Sequence, residues 1–232
     1  MSVNIMITAH SGCEGTPDNS MASIEKAVAL GADCVEIDVR ADGKGKLWLS
    51  HDLPEDYSGL VSLEAAFVLI RESGVAVNCD LKEYGALQPV LALADQFGIA
   101  PEKLIFSGSV DTALLETAPD IARRARIFIN SEELMRDLMK TGLPDRTGQT
   151  AFMLAHPEAV ADRLHALGAE ALNVPYKHMP DELIAKLRAR NVALSLWTLN
   201  DEAVLRAFME KDLLNITTRN ASAALRLRAS MV

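Results

Sequence analysis

Cysteine is scarce in this sequence of 232 residues, and Cys13, Cys34 and Cys79 form no CxxC pair. Zinc ribbons and disulfide frameworks need paired cysteines at regular spacing, so neither is predicted. Long hydrophobic runs are also missing, because no stretch approaches the ~18 apolar residues that suggest a membrane span. The first residues lack the basic and long apolar regions of a signal peptide. We therefore expect a cytoplasmic protein without a membrane span.

Positive charge is in deficit, since 23 lysines and arginines face 32 acidic residues and the formal net charge is −9. This balance argues against nucleic acid or an anionic membrane as the main partner. An anionic small molecule would need local help from a metal ion or buried cations. Apolar residues make up 49% of the chain, which is enough for a substantial core. No linker or low-complexity stretch divides the sequence, so one domain over residues 1–232 is expected.

Short β-rich runs alternate with amphipathic helical stretches along the whole chain. The predicted strands are Val3–Ala9, Cys34–Val39, Val75–Leu81, Lys103–Ser107, Ala125–Asn130, Glu170–Val174, Val192–Trp197 and Leu213–Thr217. The predicted helices are Ser20–Leu30, Ser62–Ser73, Ala86–Phe97, Asp111–Thr117, Ser131–Thr141, Pro157–Leu167, Pro180–Arg190 and Asp201–Lys211. Eight strands, each followed by a helix, predict an α/β fold of the (β/α)8 TIM-barrel type. A doubly wound open sheet is the structural alternative.

Three segments stand outside this count. Gly45–Ser50 alternates in polarity and is predicted to be a return strand after the turn at residues 41–44. Ala151–Ala155 is apolar and fits either a ninth strand or the start of a helix. Thr141–Thr150 is predicted to be the longest polar loop.

The strongest chemical signal is a set of carboxylates near predicted strand ends. Glu36 and Asp38 lie two apart on one strand and therefore share a face. Like charges this close are costly unless a cation or proton lies between them, and apolar neighbours suggest a buried strand. Asp80 ends the next predicted strand. Three carboxylates suit a hard cation such as Mg²⁺ or Ca²⁺ better than zinc, which more often takes His or Cys.

Further reactive side chains fall at the same predicted rim, because the carboxyl ends of barrel strands lie together. His10 ends the first strand, His51 closes the extra run and Trp197 ends the seventh strand. Two imidazoles, with pKa values near ~6.5, can act as base and acid. Lys82, two residues beyond Asp80, suits a phosphate oxygen. A cation, a lysine and an acid–base pair are what phosphodiester cleavage requires.

These residues resemble the glycerophosphodiester phosphodiesterase family, whose fold is a TIM barrel. The matching positions are His10 and Gly12; Pro17, Asp18 and Asn19; Gly31, Ala32 and Asp33; Glu36 and Asp38; Asp42 and Gly43; His51 and Asp52; Asp80 and Lys82; Trp197, Thr198, Asn200 and Asp201. They span most of the chain in the family's order. The resemblance implies that His10 and His51 are catalytic and that Lys82 contacts phosphate. It also implies a metal site, formed by Glu36, Asp38 and Asp80.

The resemblance predicts hydrolysis of a small phosphodiester, first of all a glycerophosphodiester, to an alcohol and sn-glycerol 3-phosphate. One divalent cation, Mg²⁺ or Ca²⁺, is the expected cofactor, and the activity would belong to lipid and glycerol metabolism. The sequence leaves open which histidine is the acid and which alcohol is released.

Three departures from the family pattern qualify this prediction. Ser11 stands where the family usually has an arginine and is predicted to contact phosphate in its place, although a serine replaces a bidentate donor poorly. Arg219 follows Thr217 and Thr218, where the family usually has Thr-Asp, and is predicted to take over part of the phosphate contact. Only 28 residues separate His51 from Asp80, which predicts a short or absent cap insertion.

Two alternative functions remain open on the sequence. The related spider-venom phospholipase D enzymes also lack the arginine and use an aspartate in the third metal position, so a cyclising phosphotransferase is one alternative. The other is a non-catalytic barrel of the same family that only binds a ligand. Trp197 is predicted to form a wall of the substrate site in either case.

Overall fold

The computed structural model describes residues 5–140 and 142–231. The strands within these residues are β1 (Met6–Ala9), β2 (Cys34–Ala41), β3 (Leu47–Leu49), β4 (Ala76–Leu81), β5 (Leu104–Gly108), β6 (Arg126–Asn130), β7 (Ala171–Pro175), β8 (Ala193–Trp197) and β9 (Asn215–Thr218). All except β3 form a parallel ring in the order β1-β9-β8-β7-β6-β5-β4-β2, which the pairing of β2 with β1 closes. The predicted (β/α)8 barrel is thus confirmed, and the open-sheet alternative is wrong. β3 runs antiparallel to the end of β2, as predicted for a return strand.

Helices surround the ring. They are α1 (Met21–Leu30), α2 (Leu63–Ser73), α3 (Leu87–Phe97), α4 (Thr112–Thr117), α5 (Ile121–Arg124), α6 (Ser131–Met139), α7 (Arg146–Ala155), α8 (Pro157–Ala166), α9 (Asp181–Arg188), α10 (Glu202–Met209) and α11 (Ala221–Ala229). The hydroxyls of Ser20 and Ser62 cap α1 and α2 by accepting backbone N–H bonds. Gly31 ends α1 in the left-handed conformation that glycine adopts without strain.

The two faces of each strand have different partners. In β2, Val35, Ile37 and Val39 point outwards and are buried in the large apolar cluster that the helices complete. The alternate residues, Glu36 and Asp38, point into the barrel because successive side chains of a strand face opposite ways. The same period of two therefore supplies both the core and the interior of the barrel.

The barrel interior changes from apolar to polar along its axis. Its floor is a small apolar cluster made by Cys34, Ala76, Ile105, Phe128 and Ala171. Two residues further along the same strands come side chains that are polar: Glu36, Asn78, Ser107, Asn130 and Asn173. Because parallel strands all end at one rim, the next inward positions open towards the face on which barrel enzymes assemble their sites.

The region after β6 differs most from the sequence prediction. Thr141 lies outside the described residues, but the predicted polar loop after it ends early, because α7 begins at Arg146 with Asp145 as its cap. Ala151–Ala155 is the end of this helix and not a ninth strand. α5 and α11 were not predicted: α5 is only one turn long, and the alanines of α11 give a weak apolar period.

Two further sequence predictions concern insertions and membranes. Between β3 and β4 the chain forms a loop, residues 50–62, and then α2, as expected for a short or absent cap insertion. Across the described ranges, none of the helices has the length and apolar character needed to cross a bilayer.

Candidate active site

A cavity of about 640 Å³ opens at the carboxyl ends of the strands. It is lined by every predicted site residue except Ser11: His10, Glu36, Asp38, His51, Asp80, Lys82, Trp197 and Arg219. Residues separated by most of the chain thus meet at one rim, because the ring places β9 beside β1 and β1 beside β2.

The three predicted carboxylates converge at the boundary between β2 and β4. The strands are in register, with Asp38 beside Asp80, and Glu36 lies one inward position deeper. One oxygen from each carboxylate lies within 4.8 Å of the others. Asn78, beside Glu36 on β4, adds a buried amide oxygen that has no hydrogen-bond partner. An all-oxygen donor set of this kind fits a hard divalent cation.

Lys82 lies directly beside this group, with its amine 2.6 Å from Asp38 Oδ1 and 2.5 Å from Asp80 Oδ2. Burial works to lower the pKa of Lys82, but Asp80 and Asp38 outweigh it, so the pKa rises and the amine stays charged. One ammonium cannot balance three carboxylates. A second cation would relieve the remaining negative charge.

The pKa values of the carboxylates reflect this excess of negative charge. Burial raises the pKa of Glu36 well above its usual value, and Asp38 and Asp80 add to the effect. Burial also raises the pKa of Asp80, although Lys82 opposes it. At Asp38 burial acts upwards too, but Lys82 and Asn19 outweigh it and the pKa falls. Glu36 is therefore the carboxylate that most needs a cation in order to ionise.

His10 follows β1 and is held by its Nδ1 atom, which lies 2.8 Å from the Ser11 carbonyl oxygen. Because a carbonyl only accepts hydrogen bonds, Nδ1 must carry the proton in this contact. The neutral ring then leaves Nε2 unprotonated. Burial lowers the pKa of His10, against an opposing effect of the bond to Ser11, and this favours the neutral ring. His10 Nδ1 is also 3.6 Å from Glu36 Oε2.

Ser11 is only 2% exposed and does not line the cavity. Its hydroxyl accepts from the Asn19 backbone at 2.5 Å, and its own N–H donates to Glu36 Oε2 at 3.0 Å. Asn19 in turn donates from its side-chain amide to Asp38 Oδ2 at 2.7 Å. Ser11 and Asn19 thus orient two of the carboxylates, whereas a direct contact from Ser11 to phosphate gains no support from this placement.

His51 lies on the loop after β3 and is largely exposed. Its Nδ1 is 2.9 Å from Asp52 Oδ1, so the carboxylate orients the ring. The backbone carbonyl of His51 accepts from both Nε and Nη2 of Arg40, at 3.1 and 2.9 Å. Arg40 is fixed by Glu83, 3.1 Å from its Nη1. The end of β2 thereby anchors a loop that has few apolar contacts of its own.

Arg219, just after β9, reaches the wall next to His10. It forms a two-pronged ion pair with Asp18, at 2.7 and 3.2 Å. The space above Gly12 is filled by these two side chains, and a Cβ at Gly12 would overlap both of them. Gly12 therefore makes room for the arginine, as its φ of +77° also requires glycine.

Another wall of the cavity combines Trp197, which the sequence predicted, with residues that no sequence pattern singled out. Trp197 lies there with the Arg146 guanidinium 5.8 Å from its ring centre, and Arg146 pairs with Glu132. Glu133 accepts from Tyr84 at 2.5 Å and pairs with Arg136. Charges of both signs are thus balanced within this wall, unlike those at β2 and β4.

Some of the site residues that were not predicted could have been found from the strand periodicity, and others could not. Asn78 and Arg40 each lie two residues from a predicted metal ligand on the same strand, so the period of two points to them. Glu132 and Glu133 open α6 after β6, where no pattern in the sequence marks them as cavity residues.

Comparison with known proteins agrees with this geometry. The sequence model of the glycerophosphoryl diester phosphodiesterase family matches residues 10–88, the segment that contains both histidines, the three carboxylates and Lys82. No curated protein sequence matches the chain significantly.

Many solved structures share the fold. A glycerophosphodiester phosphodiesterase from Parabacteroides distasonis is 16% identical, with a TM-score of 0.75 and coverage of 98% of each chain. A phosphodiesterase from Oleispira antarctica, in complex with the product sn-glycerol-3-phosphate, is 19% identical, with a TM-score of 0.74 and coverage of 96% of each chain. The enzyme from Thermotoga maritima is 20% identical, with a TM-score of 0.66 and coverage of 96% of this chain and 98% of that one. The family's sequence model thus matches the segment that carries the predicted site residues of β1 to β4, and the solved structures share the barrel fold.

Proposed function

We propose that the protein hydrolyses a glycerophosphodiester to an alcohol and sn-glycerol 3-phosphate by acid–base catalysis with two histidines. The observation that carries this proposal is the convergence of His10, His51 and three carboxylates on one cavity. The family match over the same residues supports it, and so does the product that the structurally similar Oleispira enzyme holds.

The proposed cofactor is one divalent cation, Mg²⁺ or Ca²⁺, held by Glu36, Asp38 and Asp80. When bound, such an ion supplies Lewis-acid stabilisation of the charge that develops on the phosphate. Lys82, beside the same carboxylates, donates to a phosphate oxygen. Arg219 is the second proposed donor, and it compensates in part for the absence of an arginine at position 11.

His10 is the proposed base. Its Nδ1 proton is engaged by the Ser11 carbonyl, so Nε2 of the neutral ring is the atom that can accept a proton. In the reaction Nε2 takes a proton from the attacking water molecule while the new bond between the water oxygen and phosphorus forms. The lowered pKa of His10 keeps the ring in the required neutral state.

His51 is the proposed acid. Its Nδ1 lies 2.9 Å from Asp52 Oδ1, so the carboxylate holds the ring with Nε2 free to donate. As the bond between phosphorus and the leaving oxygen breaks, His51 gives its Nε2 proton to the alkoxide and the alcohol departs. The exposed loop beneath His51 leaves room for alcohols of different size. Trp197, on another wall of the cavity, is the proposed apolar surface for the substrate.

The test is a panel of glycerophosphodiesters, cyclic phosphates and an aryl phosphodiester, assayed with Mg²⁺ and Ca²⁺. On any substrate that the native chain cleaves, His10→Ala and His51→Ala should each lower kcat by several orders of magnitude, with an unchanged circular dichroism spectrum. His165→Ala, on α8 away from the cavity, is the control and should retain full activity. Near-native turnover by either site variant would contradict the two-histidine mechanism.

The same panel separates the two alternatives. A cyclic phosphate that accumulates as the end product would identify a cyclising phosphotransferase. Binding of metal and ligand without turnover on any substrate would identify a non-catalytic barrel.

A further inference from the structure

Asn78 is an anomaly in the barrel interior. Among the described residues, its Oδ1 is the buried side-chain oxygen or nitrogen atom for which no hydrogen-bond partner is present. The side chain is 5% exposed and lines the cavity. A buried amide oxygen without a donor costs about 1–3 kcal/mol relative to a satisfied one. Such a cost calls for a partner that the polypeptide itself does not supply.

The position of Asn78 indicates what that partner is. In the register between β2 and β4, Asn78 lies beside Glu36, and Asp80 lies beside Asp38. All four side chains point into the barrel and together form a square of two residues on each strand. Three corners of the square are the carboxylates whose oxygens lie within 4.8 Å of one another. The fourth corner is the amide with the unpaired oxygen.

Other asparagines of the interior make the contrast clear. Asn215, on β9, is 1% exposed and has partners for both ends of its amide: Thr8 donates to its Oδ1 at 2.7 Å, and its Nδ2 donates to Ser195 at 2.9 Å. This buried asparagine is thus hydrogen-bonded to protein at both ends of its amide. By contrast, the Oδ1 atom of Asn78, next to the carboxylates, has no hydrogen-bond partner.

We propose that Asn78 is a fourth protein ligand, which donates its amide oxygen to the divalent cation held by Glu36, Asp38 and Asp80. This inference rests on the proposed function, since it extends the proposed metal site. Hard cations accept neutral amide oxygens alongside carboxylates. A neutral ligand is favourable here, because Lys82 alone opposes three carboxylates and a fourth negative charge would add to their repulsion.

The experiment measures Mn²⁺ binding to the full chain by the loss of the free-ion electron paramagnetic resonance signal, together with the thermal midpoint with and without Mn²⁺. Asn78→Ala should weaken Mn²⁺ binding at least ~10-fold and reduce the shift in midpoint that the ion produces. Its metal-free midpoint should stay close to that of the native chain. Asn78→Asp keeps an oxygen at the same position and should bind Mn²⁺ more tightly than Asn78→Ala does.

Asn215→Ala is the matched control, because it removes a buried asparagine that is bonded to protein. It should lower the metal-free midpoint and leave the Mn²⁺ dissociation constant unchanged. Asn78→Ser, whose oxygen reaches less far, should also bind weakly and provides the measurement if Asn78→Ala does not fold. Native affinity in both Asn78→Ala and Asn78→Ser, or in whichever of them folds, would overturn the inference and leave the proposed function intact. Unchanged Mn²⁺ binding by Asp80→Asn would instead contradict the proposed metal site itself.

Discussion

Two regions of the barrel interior differ in how their buried polar groups find partners. On β7, β8 and β9 the inward residues are neutral, and Asn173, Ser195 and Asn215 bond to one another in a continuous chain with distances of 2.8 and 2.9 Å. On β2 and β4 the inward residues are Glu36, Asp38, Asn78 and Asp80, which carry an excess of negative charge and an unpaired oxygen. The neutral half is hydrogen-bonded within the protein, whereas the charged half presents a set of oxygen donors that fits a cation.

The difference between the two halves indicates which residues contribute to stability and which contribute to function. A buried network that satisfies all its members fixes one structure and gains little from a ligand. A half-satisfied network has a higher free energy without its ligand, and that energy contributes to binding. Changes in the charged half should therefore affect metal binding and turnover, and changes in the neutral half should affect the free energy of unfolding.

Removal of the metal is the most severe perturbation of the charged half. We expect EDTA to abolish turnover and Mg²⁺ or Ca²⁺ to restore it, because three carboxylates form a hard oxygen site. Asp80→Asn should lose metal affinity in a titration while its unfolding curve changes little. Asp181→Asn, on the exposed start of α9, is the control and should bind metal normally. Full activity in chelator would rule out the proposed site.

The next largest effect is expected at Lys82. Lys82→Met should lower kcat/KM at least ~100-fold, since a donor to developing phosphate charge is commonly worth about 3 kcal/mol. Steady-state kinetics on the best glycerophosphodiester measures this loss. Lys211→Met removes a lysine that pairs with Asp181 at the surface and should leave kcat/KM unchanged. Equal kinetics for the two variants would remove the role assigned to Lys82.

A smaller loss is expected at Arg219, which is half-exposed and already paired with Asp18. Arg219→Met should lower kcat/KM about 10-fold, mainly through KM, because a donor to the phosphate of the ground state contributes to binding. Arg226→Met, which breaks the exposed pair with Glu202, is the matched control. Identical KM values for both variants would argue that Arg219 does not contact the substrate.

The smallest effect on turnover is expected in the neutral half. Ser195→Ala leaves Asn173 and Asn215 each without one partner and should reduce the free energy of unfolding by about 1–3 kcal/mol. Its kcat/KM should stay within twofold of the native value. Urea denaturation and kinetics on the same preparation measure both quantities. A large loss of turnover without loss of stability would break the division between the two halves.

The sequence predicted the ring of strands and most of the site, because both follow from short-range patterns. The period of two in β2 assigned Val35 to the core and Glu36 to the interior, and the order of strand ends then brought His10, Asp38 and Asp80 together. Such inferences need only alternation and the rule that parallel strands end at one rim.

The remaining features depend on contacts between distant segments. The placement of Ser11 beneath the cavity could not be predicted, since its hydroxyl turns to the Asn19 backbone, which no local pattern reveals. The charge pair of Glu132 with Arg146 requires knowing that α7 starts at Arg146 and approaches Trp197. The orphaned oxygen of Asn78 is a property of the whole interior, because a missing partner can be recognised only when all neighbours are known.

The pairing of β1 with β9, which closes the ring, has a consequence for when the cavity can form during synthesis. Within the barrel β1 comes first in the chain and β9 comes last, yet the two strands pair side by side, with Thr8 next to Thr217, and both border the cavity. Arg228 on α11 then bonds to Asp33, near the start of β2. A nascent chain that lacks β9 and α11 has His10, His51 and the three carboxylates, but no closed ring to hold them. Activity should therefore emerge in a single late step of synthesis, when the last strand leaves the ribosome and joins the first.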